Sequence, residues 1–376
     1  MEVQSVVIDN GSCVIKAGFS GGQTPHTTFS SSIGFATYPL INSNSAGHKD
    51  YYISDEASER IGILSQKYPI HHSIIKDWDT MEKIWHHTFY NELRIDPVEH
   101  LYLFTSNVNV PASQNSKIAE IMFEKYKIPG IFFKPSDELT LLASGRTTGV
   151  VLESGDGVSS ISAILEGYRI PETLQWTKMA GSSVTNFLIK KLQKRDLLLD
   201  NNKSDTIIAR SIKETVGYIS ENYEEELKKF DEAASAKSTT YRYPDGQSLN
   251  IGNVSFKTPE FLFRPHVYGL EGKGLHQMLA ETIQKCDIHI QLDLFKKICI
   301  GGGNTLFKGF DKRIELEMAK IVPEDTKVKI VSAKRRGFSA WIGAAMFSAN
   351  QSFTEMAISK KTFEEEGSSI IERKCK

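Results

Sequence analysis

The sequence has few cysteines, no long apolar run and almost no net charge. Its four cysteines, Cys13, Cys286, Cys299 and Cys375, form no Cys-x-x-Cys pair and have no metal-type spacing. This pattern argues against a disulfide framework and favours reduced thiols in a reducing compartment. No apolar run approaches the roughly 18 residues that a spanning helix needs, and the first residues lack a leader pattern. We therefore expect no membrane insertion.

The charge balance excludes a strong electrostatic field. The chain has 45 basic and 46 acidic residues, so its formal net charge is -1. A broad basic surface for nucleic acid or anionic membranes normally produces a clear excess of Lys and Arg. We expect no direct nucleic-acid binding. With 376 residues, 40% of them hydrophobic, the chain is globular and long enough for two domains.

Predicted strands and helices alternate along the first part of the chain. Segments 5–10 and 14–20 are typical of a hairpin around Asn10-Gly11, and 100–106 of a buried strand. Segments 81–93 and 115–127 have the apolar spacing of amphipathic helices.

From Val150 a similar pattern starts again. The predicted elements of this second part, in chain order, are two strands, a helix over 183–193, a long charged helix from about 205 to 229, a polar linker over 231–240, a turn over 243–247, a strand over 295–300, and a glycine turn with a helix over 301–320. This alternation predicts an α/β fold.

The two halves begin with the same short motif. "VVIDNGS" at 6–12 and "VVLESGD" at 150–156 each give a strand, a carboxylate, a polar residue, a glycine and then a small or acidic residue. Asp9 and Glu153 occupy equivalent places. Such an internal repeat predicts two related halves around a cleft.

The repeated motif suits a phosphate and a cation. A hairpin turn with Gly and Ser presents several backbone N–H groups to one point, and the Lys16 ammonium could join them. Two such turns facing each other would hold a triphosphate, with Asp9 and Glu153 flanking a hydrated Mg²⁺. Two ordinary hairpins are the alternative, since glycine turns are common. A carboxylate occurs at the same position in both copies of the motif, and this repetition favours the phosphate interpretation.

Other features carry less information. "GGGNTLF" at 301–307 could let a nucleotide approach the backbone. The chain has neither GxGxxG nor GxxxxGK[ST], so no motif supports a Rossmann or a P-loop site. Arg210, Lys213 and Glu214 share one helix face, which is typical of a solvated surface.

These stretches together resemble the actin family. "DNGS", "IKAGF", "WHHTFYNEL", "ASGRTTGVV", "SGDGV", "YPDGQ" and "WIGA" occur in the family's order, and the likeness runs from about Val6 to Cys375. Some strings are closer to conventional actin, whereas others are as similar to the centractin-type subunit of dynactin. The resemblance implies two ribonuclease-H-like α/β domains, as in sugar kinases and heat-shock chaperone ATPases, with ATP or ADP and Mg²⁺ or Ca²⁺ in a nucleotide cleft.

The resemblance also implies a division of the chain. An outer domain would consist of 1–144 plus 338–376 (subdomains 1 and 2), with its small subdomain at about 32–70. An inner domain would consist of 145–337 (subdomains 3 and 4), with its small subdomain at about 181–270.

The family's ATP-binding residues map onto several short stretches, and Asp9 and Glu153 would hold the cation through water. The implied ATP-binding residues are Asp9, Gly11, Ser12, Cys13 and Lys16 in the first phosphate loop, Gly155, Asp156 and Gly157 in the second, Gly181, then Arg210, Lys213 and Glu214 beside the adenosine, and Gly302, Gly303, Asn304, Leu306 and Phe307 closing the site.

Four departures from the family bear on catalysis. Ser136 stands where actins have a glutamine that positions the attacking water, and Ser160 where they have a histidine. Glu153 replaces an aspartate and Cys13 a glycine. Because water-positioning groups act chiefly in the transition state, we expect retained ATP binding with slow or lost hydrolysis. Relocated side chains or waters that compensate are the alternative.

The implied filament contacts are altered. The loop at 38–50 is polar where actins have an apolar tip, the acidic N-terminal cluster is reduced to Glu2, and the chain ends in Lys376 instead of an aromatic residue. The segment 263–276 still resembles the family's inter-strand plug. We therefore expect weakened contacts that are not abolished.

Three functions follow from these observations. The first is an ATP-binding actin-like protein that assembles into or onto filaments, with itself, other actin-family subunits and actin-binding proteins as partners. The second is a non-polymerising subunit of a multisubunit complex of the dynactin or chromatin-remodelling type. The third, a sugar-kinase-type enzyme, is disfavoured because no sugar-site acid or base is apparent. The expected location is the cytoplasm and cytoskeleton, with the nucleus as the alternative.

Overall fold

The computed structural model describes residues 4–36, 51–58, 64–195, 203–232, 239–243, 246–322 and 326–375. The chain divides into two compact units, each with its own core. The first unit comprises Met1–Val151, Ile164–Arg169 and Phe338–Lys376, and the second comprises Leu152–Ala163 and Ile170–Gly337.

The described residues form a mixture of strands and helices. The strands are β1 Val6–Asn10, β2 Val14–Phe19, β3 Thr27–Ser30, β4 Ile33–Ala36, β5 Tyr51–Ile53, β6 Leu64–Lys67, β7 Ile70–His71, β8 Ile74–Ile75, β9 Leu101–Ser106, β10 Gly130–Pro135, β11 Gly149–Ser154, β12 Ser159–Leu165, β13 Tyr168–Arg169, β14 Gln175–Thr177, β15 Thr240–Arg242, β16 Ser248–Asn250, β17 Ile298–Gly301, β18 Ile330–Val331 and β19 Ile358–Ser359.

The α-helices are α1 Asp55–Ser58, α2 Trp78–His86, α3 Ala112–Glu124, α4 Ser136–Ala143, α5 Gly181–Gln193, α6 Lys203–Val216, α7 Tyr223–Glu232, α8 Val254–Lys257, α9 Leu275–Gln284, α10 Ile288–Leu294, α11 Phe310–Ala319, α12 Ser339–Ser348, α13 Phe353–Met356, α14 Lys360–Glu366 and α15 Ser369–Lys374. A π-helix covers His87–Leu93. Short 3-10 helices cover Pro97–Glu99, Pro171–Thr173, Pro259–Leu262, Pro265–Tyr268, Gly303–Leu306 and Arg336–Phe338.

The first unit is built on a six-stranded mixed sheet with the order β19-β10-β9-β1-β2-β3. β1 is parallel to β9 and antiparallel to β2, which confirms the predicted hairpin. β1 is buried on both faces because Ile8 belongs to one apolar cluster and Val7 to another. This places the β1–β2 turn at a fixed point beside the carboxyl end of β9.

The second sheet has the order β13-β12-β11-β17-β18, with β14 paired to β12. β11 and β12 are neighbours, as the repeated motif predicts. β17 runs parallel to β18 and lies beside β11, so the glycines that follow β17 reach the end of β11.

Two helix predictions need correction. The charged stretch at 205–229 is not one helix, because α6 ends at Val216 and α7 begins at Tyr223. A Cβ on Gly217 would lie 2.8 Å from the Phe307 ring, and the Ile219 N–H donates to the Lys308 carbonyl at 2.8 Å. This pairing draws the backbone out of helical hydrogen bonding.

The predicted helix at 81–93 also differs in detail. It begins at Trp78, where the Asp77 carboxylate accepts the Thr80 N–H at 3.0 Å, and it continues after His86 as a π-helix. The hydrogen bond from the Thr80 backbone lowers the pKa of Asp77 despite the opposing effect of burial.

Several sequence predictions fall outside the described residues: the loop 38–50, Glu2, Lys376, most of the linker 231–240 and part of the turn 243–247. Among the helices that the structure describes, none has the length and apolar character needed to cross a membrane.

Candidate functional site

The turn between β1 and β2 is closed tightly around Gly11. The Gly11 N–H donates to the Asp9 carbonyl at 3.1 Å, and a Cβ at this position would clash with the carbonyl of Val14. A glycine is therefore required here for steric reasons. Ser12 and Cys13 follow it, both half-buried.

Asp9 lies directly opposite Lys16 across the hairpin and is 8% exposed. Lys16 Nζ lies 2.5 Å from Asp9 Oδ2, and Thr105 Oγ1 donates to Asp9 Oδ1 at 2.7 Å. An ammonium group has three donors, so Lys16 can hold Asp9 and still bind a phosphate oxygen. Thr105 was missed by the sequence analysis, although it stands at the carboxyl end of a buried parallel strand.

Two neighbouring segments fix the first turn. Ser31 Oγ donates to the Ser12 carbonyl at 2.8 Å, and the Ser31 N–H donates to the Cys13 carbonyl at 2.9 Å. The Ser73 N–H donates to Ser12 Oγ at 3.0 Å. Ser73 lies between β7 and β8 with a φ of 67°, and Gln114 holds its carbonyl at 3.1 Å. Sequence reasoning found none of these supports, because they lie far from the turn along the chain.

Ser136 begins α4 and is buried. Its hydroxyl donates to Asn107 Oδ1 at 3.3 Å. The next residue, Asp137, is 1% exposed and forms a two-pronged ion pair with Arg169, with distances of 2.7 Å from Nε and 2.5 Å from Nη2. This charged pair beside Ser136 was also missed, because β13 is distant in sequence.

The second turn is hydrogen-bonded to the start of α5. The Gly155 N–H donates to the Val158 carbonyl at 3.0 Å, so the hairpin is closed. Gly181 donates to the Gly155 carbonyl at 2.9 Å, and Ser182 donates to the Asp156 carbonyl at 2.8 Å. A Cβ on Gly181 would lie 3.2 Å from the Asp156 Cα. A side chain at this position would therefore crowd the start of α5 against the turn.

The predicted charged face of α6 is not uniformly solvated. Lys213 is buried, and its ammonium donates to the Gly181 carbonyl at 3.1 Å. Glu214 lies 4.0 Å from Lys213 with 63% of its side chain exposed, and Arg210 is half-buried. Lys213 thus reaches the start of α5, which in turn is hydrogen-bonded to the second turn.

The glycines after β17 touch β11. Gly302 has a φ of 88°, and a Cβ there would lie 2.7 Å from the Ser154 carbonyl carbon. Asn304 Nδ2 donates to Ser154 Oγ at 2.8 Å, and Ser154 Oγ lies 2.7 Å from Ser159 Oγ. The Asn304 Oδ1 atom is buried with no hydrogen-bond partner among the described residues. Gly303, by contrast, has open space at its Cβ position.

The remaining predicted residues lie in different surroundings. Phe307 is buried against Gly217, whereas Leu306 is 50% exposed. Ser160 is buried in β12 opposite Trp176, and Glu153 is 9% exposed at the end of β11. No group of three or more His, Cys, Asp and Glu side chains gathers as a metal site within the described ranges.

The second unit therefore joins three distant segments around one turn, and the first unit joins three others around its own turn. This is a mixed α/β protein with a duplicated strand-turn-strand motif. The family model described as Actin matches residues 1–376, the whole chain, and the chain belongs to the actin family, with an actin-like two-domain fold. Proteins of this family generally bind ATP or ADP with a divalent cation.

Proposed function

We propose that this protein binds ATP or ADP with Mg²⁺ or Ca²⁺, assembles into or onto filaments, and hydrolyses ATP slowly. The observation that carries the proposal is the duplicated carboxylate. Asp9 and Glu153 are both nearly buried beside a glycine turn. Asp9 pairs with Lys16 and Thr105, and a phosphate-bound cation would give the two carboxylates a common role.

The residues present fit a nucleotide. In the first unit, the N–H groups of the Gly11–Cys13 turn and the Lys16 ammonium would bind phosphate oxygens. In the second unit, the Gly155–Gly157 turn would do the same, and the open backbone at Gly303 and the unpartnered Asn304 Oδ1 would meet the rest of the nucleotide. The bound cation neutralises phosphate charge. We also propose the division into an outer domain (1–144 plus 338–376) and an inner domain (145–337).

Slow hydrolysis is supported by the surroundings of two serines. Ser136 is buried and donates to Asn107, and Ser160 is buried within a strand. Neither short side chain offers the reach of a glutamine or a ring nitrogen to an attacking water. Loss of such groups lowers the rate more than the affinity for nucleotide.

The polar sequence at 38–50 changes an expected filament contact. A non-polymerising subunit of a dynactin-type or chromatin-remodelling complex is the second candidate. We propose the cytoplasm and cytoskeleton as the location and actin-family or actin-binding proteins as partners.

Sedimentation of the purified protein with Mg-ATP over a range of concentrations tests the proposal, with phosphate release and bound nucleotide measured in the same tubes. We expect a critical concentration, bound ATP and slow phosphate release. A monomer that holds ATP at every concentration would favour the second candidate. A protein that binds no nucleotide would overturn the proposal.

A further inference from the structure

One buried polar atom beside the second turn has no hydrogen-bond partner. Asn304 lies in the 3-10 helix that follows β17 and is 7% exposed. Its Oδ1 atom accepts no hydrogen bond from the part of the chain that the structure describes. A buried acceptor without a donor costs the full desolvation of that atom, so a donor from a ligand is expected here.

A chain of hydrogen bonds fixes the orientation of the Asn304 amide. Ser159 Oγ donates to the Met179 carbonyl at 2.6 Å, and a hydroxyl has only one proton to give. Ser159 Oγ also lies 2.7 Å from Ser154 Oγ, so it accepts the Ser154 proton. Ser154 then has no proton left for Asn304 and accepts from Asn304 Nδ2 at 2.8 Å.

The opposite orientation of the amide is unfavourable. If the Asn304 oxygen and nitrogen changed places, the oxygen would meet Ser154 Oγ, whose proton is already donated to Ser159. Ser154 and Ser159 are both fully buried, so bulk water does not relieve a contact between two acceptors. The side chain of Asn304 therefore presents an acceptor, and not a donor, on its unpaired side.

The backbone on both sides of Asn304 is held in place. The Gly302 N–H donates to the Arg336 carbonyl at 2.9 Å, and Arg336 Nη2 donates to the Thr305 carbonyl at 2.9 Å. Thr305 Oγ1 donates to the Gly302 carbonyl at 2.7 Å. These bonds give the Asn304 oxygen one fixed position, which recognition of a single ligand group requires.

The place of Asn304 decides which group of a nucleotide could donate to it. Its partner Ser154 directly precedes the Gly155–Gly157 turn, which we propose to bind phosphate oxygens. Phosphate oxygens are acceptors and cannot pair with Asn304 Oδ1. The sugar is joined directly to the phosphates, so its hydroxyl groups are the nearest donors. The amino group of the base lies beyond the sugar.

We propose that Asn304 Oδ1 accepts a hydrogen bond from a ribose hydroxyl and makes the site prefer ribonucleotides to deoxyribonucleotides. This inference rests on the proposed nucleotide binding and adds the group that Asn304 recognises. A ribose hydroxyl supplies the donor that the buried oxygen lacks. A sugar without that hydroxyl leaves the oxygen unpaired in the complex, and such a site discriminates strongly against the analogue.

Competition binding tests the proposal with the full-length protein and Mg²⁺. The probe is an ATP analogue that is fluorescent through its base, and the competitors are ATP, 2′-deoxy-ATP, 3′-deoxy-ATP and purine riboside triphosphate, which lacks the amino group of adenine. We expect one of the two deoxynucleotides to bind at least about tenfold more weakly than ATP.

The variant Asn304→Leu removes the acceptor with little change in volume. Its affinity ratio between ATP and the weaker deoxynucleotide should fall about tenfold relative to wild type, whereas its ratio between ATP and purine riboside triphosphate should not change. Asn304→Ala removes the same oxygen and serves if the leucine variant does not fold. The matched control is Asn250→Leu, at an exposed asparagine of the second unit, which should keep the wild-type ratios. Thermal melts check folding.

Three results would overturn the inference. Wild-type protein could bind ATP and both deoxynucleotides equally well, which would give Asn304 Oδ1 a water as its partner. The Asn304 variants could keep the wild-type ratio, which would assign the ribose to another residue. The ratio for purine riboside triphosphate could change instead, which would assign Asn304 to the base. Any of these results with ATP still bound leaves the proposed function intact, whereas a protein that binds no nucleotide contradicts both.

Discussion

Lys16 Nζ lies 2.5 Å from Asp9 Oδ2, and both side chains are largely buried, with 17% and 12% exposure. The two residues face each other across the hairpin at the first turn. Their ion pair therefore holds the Lys16 ammonium at the candidate phosphate site. The equivalent carboxylate in the second unit is Glu153. The repeated sequence there has no lysine that corresponds to Lys16.

Replacing Lys16 by Met should leave Asp9 nearly buried without its ammonium partner. We expect the free energy of unfolding of the nucleotide-free protein to fall by about 2–3 kcal/mol and the ATP affinity to fall as well. Urea unfolding and nucleotide titration measure the two effects. Lys297→Met, which breaks the exposed pair with Asp293, is the control and should leave stability nearly unchanged because solvent screens that pair. Unchanged stability of Lys16→Met would contradict the role of the pair.

Gly302 and Gly303 are neighbours beside the second turn, and the same substitution at each should have different effects on stability. Gly302→Ala places a Cβ against the Ser154 backbone at a φ of 88°, so we expect a loss of about 1–3 kcal/mol in urea unfolding. Gly303→Ala meets no atom within 4 Å and should leave stability within about 0.5 kcal/mol. If ATP approaches this backbone, Gly303→Ala should still weaken ATP binding about tenfold. Normal ATP binding by Gly303→Ala would remove Gly303 from the site.

The two serines of the proposed hydrolytic site can be tested by restoring the family's residues. Ser136→Gln/Ser160→His should raise phosphate release at saturating Mg-ATP on the order of 10²-fold, because a positioned side chain can then orient or deprotonate the water. Ser136→Ala/Ser160→Ala is the control and should keep the wild-type rate. Both positions are buried, so overpacking could cost about 1–3 kcal/mol, which a thermal melt would reveal. A wild-type rate equal to that of a folded Gln/His variant would refute slow hydrolysis.

The Asp137–Arg169 pair should contribute strongly to the stability of the first unit. Arg169→Met removes the guanidinium from a carboxylate that is 1% exposed, so we expect a loss of about 3 kcal/mol. The exposed pair Lys117–Glu120, broken by Lys117→Met, should cost less than about 1 kcal/mol. Equal losses for the two variants would show that burial does not determine the contribution of Arg169.

His276 should make stability depend on pH. Burial lowers the pKa of His276 to about 4 from 6.5, aided by Arg313 and Lys320 and opposed by Glu317. The unfolded chain therefore binds the proton first, and the His276 contribution to stability is lost as the pH falls from about 6.5 to 4. The size of this loss is up to about 3 kcal/mol.

The difference between wild-type and His276→Gln unfolding energies, measured at several pH values, isolates this contribution. We expect the difference to change across that pH range. His266→Gln, at an exposed histidine, is the control and should differ from wild type by a constant amount. A constant difference for His276→Gln as well would contradict the lowered pKa.

The sequence by itself determined the local elements and the places of the two turns. β1, β2, β9, α3 and α5 could be predicted because their apolar periodicity and turn residues agree with the fold. The duplicated motif could be found because a hairpin, its carboxylate and its glycine lie within a few residues of each other. The full-length resemblance to the actin family rested on such local strings in a fixed order.

Only the tertiary structure decided what supports those turns. Ser73 on Ser12, Arg169 on Asp137 and Lys213 on Gly181 are contacts between segments far apart in the chain, and no local pattern marks them. The break after α6 did have a local signal, because Gly217 directly follows Val216 and residues 216–222 are mostly weak helix formers. The structure adds the contact that holds the break, since the Ile219 N–H donates to the carbonyl of the distant Lys308.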